Sequence, residues 1–197
     1  MNITTIVGGS LHTNCYMVWG EDSETCVLID PGFDPEQILE QVRSAGKKVE
    51  AIFLTHTHFD HVFGVNQIVA ITGCKVYVCQ DDMDIGDRTN HGDICATDFY
   101  ADSDVVEAAG ISFRVMHTPG HTAGCVCLIT PEVIFSGDTL FAGTCGRTDL
   151  ASGNPAQMRQ SLARLSALEG NYKVFPGHGR STDLDFERRL NPYMYSL

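Results

Sequence analysis

Short apolar runs broken by polar turns dominate the chain. Residues 3–7, 15–19 and 25–29 read as strands, separated by Gly8-Gly9-Ser10 and Gly20-Glu21-Asp22-Ser23. Asp30-Pro31-Gly32 ends the third strand. Pro35 then suits the first turn of a helix running to about residue 45, with Gly46 as its stop. Residues 51–54 are continuously apolar and read as a short buried strand. A helix is expected over roughly 62–72 and a strand over 75–78. The pattern weakens across 81–104, where acidic and small residues prevail. That stretch is read as a short helix followed by an irregular connection, and its length predicts that it borders a substrate pocket. Strands resume at 104–108, 111–117, 125–129 and 133–136. An amphipathic helix over 158–168, a short strand over 173–175 and a helix over 183–190 complete the chain. Two groups of strands, each followed by helices, predict an α+β fold. Its two sheets face each other with helices outside.

Composition narrows the function classes. At 197 residues, a single domain over 1–197 is expected, with enough chain for a sizeable core. The net charge of −12 argues against a nucleic-acid backbone or an anionic membrane as the main partner. The eight cysteines include no CxxC pair, and most sit in apolar runs where a free thiol behaves as a small hydrophobe. The first residues lack a basic stretch followed by a long apolar one, so no signal peptide is visible. A cytoplasmic location with free thiols is expected.

The chemistry concentrates in Thr55-His56-Thr57-His58-Phe59-Asp60-His61, directly after the strand at 51–54. Three histidines and an aspartate in six positions are unlike a solvated loop, which favours Ser, Asn and Gly. Imidazole and carboxylate are standard ligands for zinc and iron. His56 and His58 are two apart and point the same way in an extended segment. Asp60 and His61 fall past the bend. Three later sites share one grammar of apolar strand, glycine turn and single ligand. They are His121 in Pro119-Gly120-His121, Asp138 in Gly137-Asp138, and His178 in Pro176-Gly177-His178-Gly179. Strand ends on one edge of a sandwich would bring all seven together. His56, His58 and His121 then make one metal site, Asp60, His61 and His178 make another, and Asp138 bridges them.

These stretches resemble the metallo-β-lactamase fold superfamily, and within it the short, bacterial, glyoxalase II-like (hydroxyacylglutathione hydrolase-like) hydrolases. The segment 55–61 matches the HxHxDH signature. Gly137-Asp-Thr-Leu-Phe-Ala-Gly143, Gly146-Arg-Thr-Asp-Leu150, Pro176-Gly-His-Gly179 and Phe186-Glu-Arg-Arg-Leu-Asn-Pro192 match the subgroup. The resemblance covers essentially the whole chain. It implies an αββα sandwich and a dinuclear centre of two divalent ions, zinc first, with iron or manganese also compatible with the ligand set. Nineteen residues follow His178, enough for one helix and not for the C-terminal extension with which glyoxalase II helps hold glutathione.

The activity implied is hydrolysis of a small-molecule acyl thioester. Two ions flanking a water lower its pKa toward neutrality, one polarises the carbonyl, and Asp60 also accepts the water's proton. A thiolate leaving group departs without much protonation, which suits a site with no dedicated general acid. Arg147 is a candidate substrate-binding residue, although an ion pair with nearby Asp149 explains it more simply. The alternative within the superfamily is a persulfide dioxygenase. That family shares the ligand set, holds a single iron and carries a Cys-Gly-Arg-Thr-Asp stretch, as at 145–149.

Overall fold

The computed structural model describes residues 1–83 and 94–195. Its first half runs β1 (Asn2–Gly8), β2 (Thr13–Trp19), β3 (Thr25–Ile29), α1 (Pro35–Ser44), β4 (Lys48–Phe53), α2 (Phe59–Val62), α3 (Val65–Thr72), β5 (Lys75–Cys79), α4 (Gln80–Met83) and β6 (Asp98–Tyr100). The second half runs β7 (Val105–Ala108), β8 (Ile111–His117), β9 (Val126–Ile129), β10 (Val133–Gly137), β11 (Leu140–Phe141), β12 (Thr144–Cys145), α5 (Pro155–Ser166), β13 (Lys173–Pro176), β14 (Thr182–Asp183) and α6 (Leu184–Leu190).

Two six-stranded mixed sheets result. The first is ordered β1-β2-β3-β4-β5-β6 and the second β14-β13-β10-β9-β8-β7. Strand alternation sorts side chains into layers. On β3, Cys26 and Leu28 face Ile38, Leu39 and Val42 of α1 and Ile68 of α3. Val27 and Ile29 face the other way, into the space between the sheets, with Phe113, Leu128 and Phe135 from the second sheet. On the far side, Cys127, Ile129, Ile134 and Val174 pack under Met158, Leu162 and Leu165 of α5 and Leu184 of α6. The outcome is the expected αββα order of layers. Phe53 and Phe113 meet edge to face across the sandwich with centroids 5.1 Å apart, a geometry worth about 0.5–1.5 kcal/mol beyond its buried area.

Local chemistry sets the helix ends. The Asp34 carboxylate accepts from the Glu36 amide ahead of Pro35, and the Asn154 side chain accepts from the Ala156 and Gln157 amides ahead of Pro155. α5 therefore starts three residues earlier than its apolar pattern begins. The expected helix over 62–72 is instead two, α2 and α3, broken at Phe63-Gly64. There the Gly64 amide donates to the Pro31 carbonyl, and a Cβ would lie 2.7 Å from that oxygen. The chain needs this close approach to bring Asp30-Pro31-Gly32 beside the histidine segment. Strands β6, β11, β12 and β14, of two or three residues each, are too short to show a period in sequence.

All eight cysteines are free thiols. Among the described residues, no helix is long and apolar enough to cross a membrane.

Candidate metal centre

The seven expected side chains meet at one edge of the sandwich, where the two sheets are stitched together by backbone bonds. The Val126 amide donates to the Thr55 carbonyl at 2.9 Å, and the Asn14 amide to the Gly177 carbonyl at 2.8 Å. Asn14 Nδ2 also donates to the Pro176 and Gly179 carbonyls. The first sheet thus delivers His56, His58, Asp60 and His61. The second delivers His121, Asp138 and His178 from the turns after β8, β10 and β13.

Donor atoms crowd as they do around an ion. His58 Nδ1 lies 2.9 Å from His121 Nε2, which is 3.4 Å from Asp138 Oδ2. His61 Nε2 lies 3.3 Å from His178 Nε2 and 3.5 Å from both Asp60 Oδ2 and Asp138 Oδ1. His178 Nε2 is 3.2 Å from Asp60 Oδ2 and 3.6 Å from Asp138 Oδ2. Two ligands each about 2.0 Å from a tetrahedral ion lie about 3.3 Å apart. The observed separations bracket that value. His56/His58/His121 and Asp60/His61/His178 each form a group, with Asp138 reaching both, and a third group, Asp30/His56/His61, overlaps them from behind. Buried His56 Nε2 and Asp138 Oδ1 have no hydrogen-bond partner at all. An orphaned lone pair in a buried site is costly, and a cation satisfies both atoms.

The ring orientations follow from groups behind the ligands. Asp30 Oδ1 accepts from the Thr55 amide at 2.8 Å. Its Oδ2 accepts from the Thr55 hydroxyl at 2.6 Å and faces His61 Nδ1 at 3.0 Å. A carboxylate can only accept, so His61 keeps a hydrogen on Nδ1, and as a neutral ring it aims a lone pair from Nε2. The Thr55 hydrogen is committed to Asp30, so its oxygen accepts from His56 Nδ1 at 3.1 Å. That leaves His56 Nε2 bare as well. His121 Nδ1 faces the Arg147 carbonyl at 2.8 Å, and His178 Nδ1 faces the Leu11 carbonyl at 3.2 Å. Four imidazoles therefore present Nε2 and His58 presents Nδ1.

A second buried carboxylate braces the other side. Asp82 accepts from the Thr57 amide, the Thr122 hydroxyl and the Gly124 amide. It ties the His56–His58 segment to the His121 turn. Thr13 donates to Asp60 Oδ2 at 3.0 Å. None of Asp30, Thr55, Asp82 and Thr13 stands out in the sequence. Asp30 reads as a strand terminator and the others as ordinary polar residues.

Proton affinities divide the centre. Burial, with the neighbouring imidazoles, holds His56 well below the ordinary histidine value and brings His58 down to about 4. Burial opposes charge on His61 too, but Asp138, Asp30 and Asp60 outweigh it and raise His61 to about 9. His178 is also raised: burial works against it, and the Asp60 bond and Asp138 prevail. Burial pushes Asp60 upward, yet His178, His61 and the Thr13 bond hold it far below the usual carboxylate range. His56 and His58 are thus poised neutral, as ligands must be.

A cavity of about 590 Å³ opens over the centre. Its walls include His58, Asp60, His121, Asp138 and His178, and its mouth carries Leu11, Phe59, Phe141, Arg147 and Leu150. Arg147 stands at this mouth and also holds Asp149 in a two-point ion pair at 2.7 and 2.8 Å. The ion pair forms as expected, and Arg147 also lines the cavity. The described parts of the 81–104 stretch do not line the cavity. Ile94 and Ala96 pack on the first sheet's core, and residues 84–93 lie outside the described residues.

The sequence model of the metallo-beta-lactamase superfamily matches residues 8–178. Curated relatives include uncharacterized proteins of Mycobacterium tuberculosis, 32% identical over 222 residues, and of Aquifex aeolicus, 34% identical over 210 residues. Each match spans all of this chain and 99% of the relative. Among solved structures, the BLEG-1 B3 metallo-beta-lactamase superposes with a TM-score of 0.89 at 28% identity, over 98% of this chain and 99% of that one. TTHA1623 in a di-iron-bound form gives 0.85 at 35% identity, over 96% and 99%. ETHE1 from Myxococcus xanthus gives 0.88 at 28% identity, over 100% and 85%. The converging histidines and aspartates, the αββα layers and the extent of the match lead to one conclusion: the chain belongs to the metallo-beta-lactamase superfamily.

Proposed function

We propose that the protein is a metal-dependent hydrolase of small acyl thioesters, holding two divalent ions at the centre described. His56, His58 and His121 would hold one ion, and Asp60, His61 and His178 the other, with Asp138 shared between them. Zinc is the expected ion. The di-iron form of TTHA1623 keeps iron a direct competitor. When bound, the ions supply activated water near neutral pH and polarise a carbonyl. The chain's own residues do the rest. Asp60, whose Oδ2 is oriented by the Thr13 hydroxyl at 3.0 Å, is the proposed proton acceptor. Leu11, Phe59, Phe141 and Leu150 seat an apolar acyl group and exclude water. Arg147 meets an anionic part of the substrate.

The observation that carries the thioester reading is the lining of the cavity. Among the described residues, no wall side chain outside the ligand set can donate a proton near neutral pH. An amine or alkoxide leaving group would then have to draw its proton from the metal centre itself. A thiolate, with a pKa of about 8.5, need not. The test is metal analysis of protein purified without added metal, paired with a panel of acyl thioesters, oxygen esters and β-lactams. Thioester turnover with two ions per chain supports the reading, and turnover of β-lactams alone refutes it.

The Cys145-Gly-Arg-Thr-Asp149 stretch beside the cavity favours a second reading, a mononuclear iron persulfide dioxygenase. One iron per chain and oxygen uptake with a persulfide, without thioester hydrolysis, would establish it.

A further inference from the structure

A second cluster with metal-binding chemistry lies away from the centre. Cys79 Sγ, an Asp81 carboxylate oxygen and a His117 ring nitrogen lie within 4.8 Å of one another. They border a separate cavity of about 150 Å³ together with Tyr100 and Asp102. Cys79 is buried at the end of β5, His117 closes β8, and Asp81 sits on α4 with its side chain 64% exposed. None of the three belongs to the seven-residue centre. His117 Nε2 lies 4.0 Å from Asp81 Oδ2 and 2.9 Å from the Ala123 carbonyl oxygen.

We propose that Cys79, Asp81 and His117 form a peripheral binding site for a zinc-class divalent ion. Thiolate, imidazole and carboxylate are the three ligand types such ions take, and a tetrahedral shell then needs one more oxygen. The Ala123 carbonyl is positioned to supply it. Its 2.9 Å separation from His117 Nε2 is near the roughly 3.3 Å between neighbouring ligands around zinc. Without an ion, the ring donates its Nε2 hydrogen to that carbonyl. To ligate through Nε2 the ring moves its single hydrogen to Nδ1, and the ion displaces the thiol proton, which passes to solvent. Burial raises the Cys79 thiol to about 11, so the thiol stays protonated and unreactive until a cation arrives. Closing the shell asks for a movement of about 1 Å, which the exposed Asp81 side chain can make by changing rotamer. Because β5 belongs to the first sheet and β8 to the second, the ion would join the two sheets. It would also adjoin Asp82, the carboxylate that braces the Thr57 and Thr122 segments.

The two sites can be told apart by colour. The central ligands are all nitrogen and oxygen, so cobalt bound there gives no thiolate-to-metal charge-transfer absorption in the near ultraviolet. Cobalt(II) added to the metal-free protein should give that absorption, with one more ion per chain than Cys79→Ser binds. The band should vanish in Cys79→Ser and in His117→Gln, while the visible bands of centrally bound cobalt persist. A cobalt-loaded protein with no near-ultraviolet band overturns the proposal. So does a band of unchanged strength in Cys79→Ser, which would place the thiolate elsewhere. Should the buried cysteine variant fail to fold, Asp81→Asn changes only an exposed side chain. It should weaken cobalt binding, read at the thiolate band, by about tenfold; unchanged affinity refutes the site.

Discussion

Asp30→Asn tests the centre through a residue that stands behind the proposed ligands and bonds to Thr55 and His61. Asn is nearly the same size as Asp and tolerates the left-handed backbone found here, where φ is +52°. The fold should therefore persist. The amide, however, can accept at only one of its two positions. If its oxygen takes the place of Oδ1 and keeps the Thr55 amide, its NH₂ donates toward Thr55 Oγ1 and His61 Nδ1. The Thr55 hydroxyl then donates to His56 Nδ1. Both imidazoles reverse tautomer, and both Nε2 atoms gain the hydrogen that blocks an ion. If the amide flips, the buried Thr55 N–H faces an N–H donor, at about 1–3 kcal/mol. Restoring either bare Nε2 means giving up one or two hydrogen bonds, each worth about 0.5–1.5 kcal/mol net. The two routes give a similar loss of about 1–3 kcal/mol, or roughly 10–100-fold in metal affinity, which matches the usual effect of orienting partners behind a ligand. One ion should weaken at each half of the centre, since Asp30 governs His56 on one side and His61 on the other. The assay is calorimetric titration of metal-free protein with zinc, with circular dichroism as the fold control. Thr55→Val, which cuts the relay to His56 and spares the Asp30–His61 contact, should weaken only one of the two binding steps. Unchanged affinity at both steps in Asp30→Asn would refute the tautomer argument.

Three further outcomes are expected. Asp60→Asn should remove most thioester turnover and lower metal content toward one ion per chain with little change in thermal midpoint; near-normal turnover at full occupancy would show that Asp60 has another role. Gly177→Ala would place a Cβ 2.2 Å from Asp138 Oδ1 and 2.7 Å from His61 Cε1, so metal content should drop at least tenfold while circular dichroism stays native-like; full loading would mean that the turn can yield. The metal-free chain should be most heat-stable near pH 6.5. His61, raised to about 9 from its ordinary 6.5, contributes stability that is complete below about 6.5 and lost as pH rises through 9. His58, lowered to about 4, costs stability as pH falls from about 6.5 to 4; a midpoint that climbs steadily between pH 6.5 and 9 would contradict this.

Much of this could be read from the chain because each ligand follows a strand of clear pattern. Cys26 and Leu28 against Val27 and Ile29 show the two faces of a sheet covered on both sides. The four ligand positions, 56–61, 121, 138 and 178, come directly after apolar runs. What escaped notice depends on contacts between distant residues. Asp30 precedes a Pro-Gly pair and looks like punctuation. Its role appears only when Thr55, 25 positions on, folds against it. Asp82 sits in an acidic stretch of weak pattern, and only the fold brings it to Thr57, Thr122 and Gly124. Gly64 interrupts a helical period because a carbonyl from residue 31 needs the space, and local sequence carries no trace of that.

The order of strands has a consequence for synthesis. The first sheet uses residues 2–100 and the second residues 105–183, so the chain crosses from one to the other once. A nascent chain emerging from the ribosome can pair all of the first sheet before the second is translated. It would then display Tyr16, Val27, Ile29 and Phe53 as an uncovered apolar face. His56, His58, Asp60 and His61 would hang at its rim with no His121, Asp138 or His178 to complete either ligand group. The full set of seven candidate ligands therefore assembles only once the second sheet exists. The last of them, His178, arrives only after α5 and β13 have been made.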